Sequence, residues 1–199
     1  MKILLIGATG TIGKAIAAEL SEHDIITVGN TRGDYQVDLT DAGSIAALFG
    51  KTGKVDAVIS TAGSIVFGPV AELTEAQVTE ALDGKVTNHL NLFRVAKDYI
   101  NEGGSLTLTS GDLAQNPMPG GALVSLVNGA LDSFAKAAAL ETGAALRVNS
   151  VSPHFVKETM EMMGMDSSAG ISAADTAKAY RHAVESTESG KVFDVPDYI

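Results

Sequence analysis

The stretch from Met1 to Gly13 reads MKILLIGATGTIG, and its interpretation decides the fold. Ile3 to Ile6 is a short apolar run of the kind that forms a strand buried on both faces of a parallel sheet. It leads straight into glycines at 7, 10 and 13, and an alanine-rich helical spacing follows from Ile12 to Ser21. Glycines at this spacing let the chain turn tightly, let backbone N–H groups approach a pyrophosphate, and let the helix pack closely on the sheet. A phosphate then sits at the helix N-terminus, where unpaired N–H groups and the helix dipole favour negative charge. Thr9 and Thr11 add hydroxyl donors. A glycine triplet alone is weak; the strand before it and the helix after it supply the context that makes it a dinucleotide-binding turn. The competing interpretation is a glycine-rich turn without a ligand. The candidate contacts here are Gly7, Thr9, Gly10, Thr11, Ile12 and Gly13.

Outward from this turn the chain alternates between short apolar runs and longer helical spacings. The runs are Ile25 to Val28, Val55 to Ser60, Leu106 to Thr109, Leu146 to Val151 and Lys191 to Val195, with a further short strand at Tyr35 to Val37. The helical stretches are Ser44 to Phe49, Glu75 to Asn101 with a break or kink near Gly84, Leu123 to Glu141, and Ala173 to Ser186. Asn116 to Gly121 and Met160 to Gly170 read as irregular. Repeated strand–helix units predict an α/β fold: a doubly wound parallel sheet of about seven strands between two helical layers, the Rossmann architecture. No repeat or low-complexity linker interrupts the pattern, so one domain spanning residues 1–199 is expected.

Composition narrows the function. Hydrophobic residues make up 45% and charged residues 19%, enough apolar material for a sizeable core. Fourteen basic against twenty-four acidic residues leave a net charge of −10, which opposes binding to a nucleic-acid backbone but not to one small phosphate. The absence of cysteine excludes disulfides, thiol catalysis and cysteine-ligated metals. No His/Asp/Glu group shows metal-ligand spacing, and no Gly-x-Ser-x-Gly elbow supports hydrolase chemistry. No uninterrupted apolar run reaches the ~18 residues of a membrane span, and MKILLIGATG does not read as a signal peptide, so a soluble cytoplasmic protein is expected.

The second strand bears on the choice of cofactor. An NAD site usually places an acid at its tip to grip the ribose 2′-hydroxyl. Here the strand ends Val28-Gly29-Asn30-Thr31-Arg32. Arg32 suits a 2′-phosphate, with Asn30 and Thr31 as further donors, so NADP(H) is preferred over NAD(H). Asp34 nearby tells against this, and a solvated Arg32 is the plain alternative.

Taken in order, these segments resemble the short-chain dehydrogenase/reductase superfamily over nearly the whole chain. Asp38-Leu39 resembles the family's adenine contact, and Thr61-Ala62-Gly63 its Asn-Ala-Gly turn. Leu106 to Ser110 resembles the strand that ends in its catalytic serine. Arg147 to Pro153 resembles the segment leading to the nicotinamide, with His154 in place of the usual glycine. The likeness implies cofactor contacts from Asp38, Leu39, Thr61, Ala62, Gly63, Pro153 and His154. It also implies a homodimer or homotetramer through the fourth and fifth helices, and a small-molecule substrate under a lid. That lid would be abbreviated here, between Pro153 and the last helix.

The family's Tyr-x-x-x-Lys signature is missing. Val124 stands where the tyrosine belongs and Asn128 where the lysine belongs. None of Tyr35, Tyr99, Tyr180 and Tyr198 has a lysine four residues on. The family's helix-four asparagine falls on Lys85, as though Lys and Asn had been exchanged. Ser110, Lys85 and Asn128 are therefore the candidate catalytic residues, with the ammonium polarising a substrate oxygen or acting as an acid. A surface lysine on an amphipathic helix is the alternative. His154 has a side chain suited to proton transfer, although a loop histidine replacing glycine is the simpler reading. Two functions stay open: an NADP(H)-dependent oxidoreductase with a non-standard proton relay, and a non-catalytic NADP(H)-binding sensor or scaffold. Epimerase chemistry is weaker, lacking both the Tyr-Lys pair and room for a sugar-binding domain.

Overall fold

A computed structural model describes residues 1–199. Seven strands form one parallel sheet in the order β3-β2-β1-β4-β5-β6-β7. They are β1 (Lys2–Ile6), β2 (Asp24–Gly29), β3 (Tyr35–Gln36), β4 (Val55–Ser60), β5 (Ile100–Thr109), β6 (Leu146–Ser152) and β7 (Val192–Asp194). The helices are α1 (Thr11–Glu19), α2 (Ala42–Thr52), α3 (Glu75–Ala81), α4 (Asn88–Ala96), α5 (Ala122–Thr142), α6 (Lys157–Met162) and α7 (Ala173–Glu185).

Alternation along β1 explains the two cores. Leu4 and Ile6 point into a cluster of 21 buried residues that draws on α2, α4 and α5. Ile3 and Leu5 point the other way, into a second cluster with Ile16 of α1 and Ala177, Tyr180 and Ala183 of α7. A strand buried on both faces must be apolar at every position, which is why β1 reads as a continuous run. Each buried Leu or Ile side chain of β1 stabilises the fold by about 1.5–3 kcal/mol. The chain winds from β1 outward to β3, then crosses back to β4, so the strand order reverses between β1 and β4. Ligands in open α/β sheets bind in the crevice at such a point.

Two expectations need correction. The helix expected to run to Asn101 ends at Ala96, and β5 already begins at Ile100. Ile100 fills the larger core, and the Asn101 side chain donates to Asp56 Oδ1 at 2.7 Å. The register then slips between Val55↔Ile100 and Ala57↔Ser105, where a Cβ on Gly104 would sit 2.4 Å from the Asp56 carbonyl oxygen. The bulge hides the first part of the strand from a periodicity reading. The second correction is α6, which occupies part of a segment read as irregular from Met160. The expected break near Gly84 is a widened π turn over Leu82–Thr87 that joins α3 to α4 without interrupting the helix. By length and composition α5 is apolar enough to cross a membrane, and its place explains this: Val127, Leu131, Ala135 and Ala138 are buried within the molecule.

Candidate active site

A cavity of about 480 Å³ lies at the C-terminal ends of β1, β2 and β4. The β1–α1 turn builds one wall. Gly7 has φ 84°, and a Cβ there would lie 2.4 Å from Thr61 Oγ1. A Cβ on Gly13 would lie 2.1 Å from the Gly7 carbonyl oxygen. These two glycines press the turn onto the end of β4 and α1 onto the turn. Gly10 caps α1 and no side chain caps its first-turn amides, which leaves backbone donors for an anion. The Thr61 hydroxyl is within 3.2 Å of the Ile6 carbonyl and 3.3 Å of the Gly7 carbonyl, and donates back to the turn.

The cavity wall also includes Thr9, Asn30, Asp38, Leu39, Ala62 and Gly63. The Asp38 carboxylate accepts from the hydroxyl (2.7 Å) and the amide (2.9 Å) of Thr40, which hold it below the usual carboxylate range. Thr11, Thr31 and Arg32 are not on the wall, nor is Gly13, whose part is the close packing of α1. Arg32 is exposed and makes no ion pair, while Asp34 is engaged elsewhere. Its carboxylate accepts from the Thr27 hydroxyl at 2.7 Å and the Thr27 amide at 2.9 Å, and these bonds lower its pKa. Ser64, Gly84 and Asn88 complete the wall. The sequence alone did not point to them, because they come from three places: the loop after β4, the π turn and the first residue of α4. The one local signal was Gly84, where a Cβ would meet Ser64 Oγ at 2.0 Å.

A second cavity of about 200 Å³ brings together Lys85, Ser110 and Asn128, with Ile12, Val124, Pro153 and His154 also on its wall. Lys85 is 6% exposed. Its Nζ donates to Asn128 Oδ1 at 2.5 Å and to the Ser110 carbonyl oxygen at 2.7 Å. An ammonium has three donors, and the protein takes two. The third N–H has no acceptor in the protein, and Lys85 lines the cavity. Burial pulls the Lys85 pKa down to about 8, opposed by the charge of Asp132 on the next turn of α5. Asp132 is itself buried and accepts from Ser150 Oγ at 2.8 Å.

The surrounding residues hold this cluster in place. His89 Nδ1 lies 2.6 Å from the Lys85 carbonyl oxygen. Burial lowers the His89 pKa to about 4, so the ring is neutral near pH 7 and Nδ1 is the donor. Gly111 leaves room for the Asn128 amide: a Cβ there would lie 2.7 Å from Asn128 Nδ2. Ser110 Oγ donates to the Val151 carbonyl oxygen at 3.2 Å, so its lone pairs rather than its proton are free. His154 Nε2 lies 2.9 Å from Asp194 Oδ1 and 3.5 Å from Asp112 Oδ1, fastening the loop after β6 to β7 and to the turn after β5. Its carboxylate partners are far away in sequence and were not foreseen.

The fold and the geometry together define a Rossmann-type dinucleotide site with a polar cluster beside it. The family described as enoyl-(acyl carrier protein) reductase matches residues 14–193, and the chain belongs to the short-chain dehydrogenase/reductase superfamily. Among solved structures, the protein lin1944 from Listeria innocua is 36% identical, with a TM-score of 0.92 over 98% of this chain and 99% of that one. A small-chain dehydrogenase in complex with NADPH is 26% identical, with a TM-score of 0.85 over 96% and 94% of the two chains. Versicolorin reductase stcU from Emericella nidulans is 29% identical over 150 residues, covering 72% of this chain and 57% of that protein. The chain thus spans little more than half the length of the curated relatives it matches first.

Proposed function

We propose that this chain is an NADP(H)-dependent oxidoreductase acting on a small carbonyl or alcohol, with Lys85 as the proton donor in place of the family's tyrosine. The observation that carries the reading is the buried Lys85 ammonium, held by Asn128 and the Ser110 carbonyl with one N–H left for the cavity. When bound, the nicotinamide supplies or accepts the hydride at the substrate carbon. The fit of the cofactor rests on the cavity beside α1, its uncapped amides and the close approach that Gly7 and Gly13 permit. NADP(H) over NAD(H) rests on an unpaired Arg32 beside an Asp34 already bonded to Thr27, and on the NADPH found in a structural relative. Asp38, Leu39, Ala62, Gly63, Pro153 and His154 are the further cofactor contacts in this reading.

In the reducing direction Lys85 donates an N–H to the carbonyl oxygen and passes its proton there as the alkoxide forms. A neutral amine remains, which a largely apolar pocket tolerates better than a charge. Asn128 aims the nitrogen. The Ser110 hydroxyl rotates away from Val151 to donate to the carbonyl oxygen, and in the oxidising direction it accepts from the hydroxyl of the alcohol. The pH dependence follows in sign. The ammonium predominates below about pH 8, so reduction holds there and falls as pH rises through 8, while oxidation, which needs the free amine, rises over the same interval.

The test replaces Lys85 and Ser110 by Ala separately and measures NADPH binding and carbonyl turnover. Retained binding with lost turnover in Lys85→Ala supports the reading, and unchanged turnover in both variants ends it. The sensor or scaffold alternative draws on Val124, whose methyl groups exchange no proton, and on the Ser110 hydroxyl already bonded to Val151. NADPH binding by the native protein with no turnover of any carbonyl would favour it. A homodimer or homotetramer through the outer face of α5 is part of the proposal. Leu126 and Leu140 there are 51% and 87% exposed, and sedimentation of the native protein and of Leu140→Glu checks the assembly.

A further inference from the structure

A third cavity, of about 360 Å³, adjoins the Lys85 pocket. The two share Ile65, Phe67, Phe155, Val156 and Thr159, so a molecule filling one reaches the other. The rest of its wall is Met118, Met160, Met163 and Met165, and Thr159 is its only polar residue. Met160, Met163 and Met165 ride on a segment closed at its neck, and Met118 comes from the loop before α5. There the Lys157 amide donates to the Ile171 carbonyl at 2.8 Å and the Ile171 amide to the Phe155 carbonyl at 3.0 Å. Glu158 ties the loop to α7 by accepting from the Ala173 amide at 2.8 Å. Although the neck is pinned, Met163 is 66% exposed, so the apolar wall has no cover from this chain.

We propose that the substrate is an uncharged, largely apolar carbonyl compound of about a dozen non-hydrogen atoms, with its oxygen at the third N–H of Lys85 and its hydrocarbon body against the methionine wall. The size follows from the cavity volume at about 30 Å³ per water-sized atom group. The polarity follows from the lining: a charged group on the body would lose its water and find no partner. Lys85 is the only lysine or arginine on either wall, and the ionisable groups beside it, His154 and Asp112, lie 3.5 Å apart, with His154 Nε2 also 2.9 Å from Asp194. Unbranched thioether side chains adapt to irregular apolar shapes, so the class is defined by polarity more than by outline. The assignment of the oxygen rests on the oxidoreductase reading; the assignment of the body rests on the cavity alone.

The test titrates methyl octyl ketone, and the same ketone carrying a trimethylammonium group at the far end of its chain, into the NADPH-loaded protein by calorimetry. The uncharged ketone is expected to bind at least about tenfold more tightly, since the cation can neither pair with Lys85 nor find a partner on the methionine wall. Met160→Glu and Met163→Glu should each weaken the uncharged ketone about tenfold and strengthen the ammonium ketone, with NADPH affinity and molecular mass unchanged. Equal or tighter binding of the ammonium ketone by the native protein overturns the proposal. So does undiminished ketone binding in both variants, or a change of mass without a change of affinity, which would mean that a second copy covers the wall. If NADPH does not bind, the oxidoreductase reading fails, and the comparison of the uncharged with the ammonium ketone on the protein alone still decides this one. Ketone binding without turnover counts against the reaction and in favour of the apolar ligand.

Discussion

The β1–α1 turn and the Lys85 cluster lie at the ends of β1 and β5, with β4 between them, and they are built in opposite ways. The turn is backbone. Its working parts are amides and glycines within residues 7–13, and the contacts that shape it are the Gly7 carbonyl oxygen against Gly13 and the Thr61 hydroxyl against Gly7. The Lys85 cluster is side chain, and its members come from positions 25 and 43 residues apart in sequence. A backbone site tolerates exposure, because water competes for amides that a strong anion can still win. A buried ammonium must have nearly every donor matched, since an unmatched one costs the full desolvation. The first region can therefore offer a large anion many weak donors, while the second holds one cation on side chains and leaves a single donor over.

The sharpest way to break this comparison is at Lys85. Lys85→Ala should lower carbonyl turnover by about 10²–10⁴ and leave NADPH affinity within about twofold. Steady-state kinetics and a fluorescence titration check both halves, and an equal loss of both would show that the two regions are not separable.

His89 comes next. Its folded pKa of about 4 lies below the ordinary 6.5, so the unfolded chain takes up the proton first as pH falls. Its contribution to stability is full above pH 6.5 and should decline by about 3 kcal/mol by pH 4. Urea unfolding across that range, compared with His89→Gln, isolates the effect. An identical pH slope in the variant would remove His89 from the account.

On the backbone side, Gly13→Ala drives a methyl into the Gly7 carbonyl and should cost about 1–3 kcal/mol of stability together with most cofactor affinity. A thermal shift with and without NADPH reads both. The smallest effect expected is at the cofactor's edge. Arg32→Ala should weaken NADPH about tenfold and leave NADH nearly unchanged, because an exposed charge–phosphate contact is screened by solvent. Equal loss for both cofactors would place Arg32 outside the discrimination.

The sheet and the cofactor turn were legible because their signals are local. A continuous apolar run such as Ile3 to Ile6 can be buried only on both faces, and glycines flanked by a strand and a helix have few other uses. Where a local signal was overridden, the reading slipped. Ile100 and Asn101 follow a helical pattern, yet a bulge at Gly103 and Gly104 draws them into β5. The Lys85 pairing was less legible still. Spacing put Lys85 and Asn128 in the same neighbourhood, but a lysine at that spacing is as compatible with an exposed helix face. The carboxylate partners of His154 left no mark in a single stretch of chain, whereas the methionines clustered from 160 to 165 hinted at an apolar wall that Ile65, Phe67 and Met118 complete from elsewhere in the chain.

By itself the sequence determined the strand–helix alternation, the glycine turn, the absence of thiol chemistry and the absence of the tyrosine–lysine pair. All of these depend on which residue stands at a position or on neighbours within one element. Only the tertiary structure decided that Lys85 is buried, that Asn128 and the Ser110 carbonyl take two of its three donors, and that an apolar cavity opens beside the third. The physical reason is that burial and charge pairing belong to distances across the fold. Here the π turn in the α3–α4 helix and the first turns of α5 meet over the end of β5.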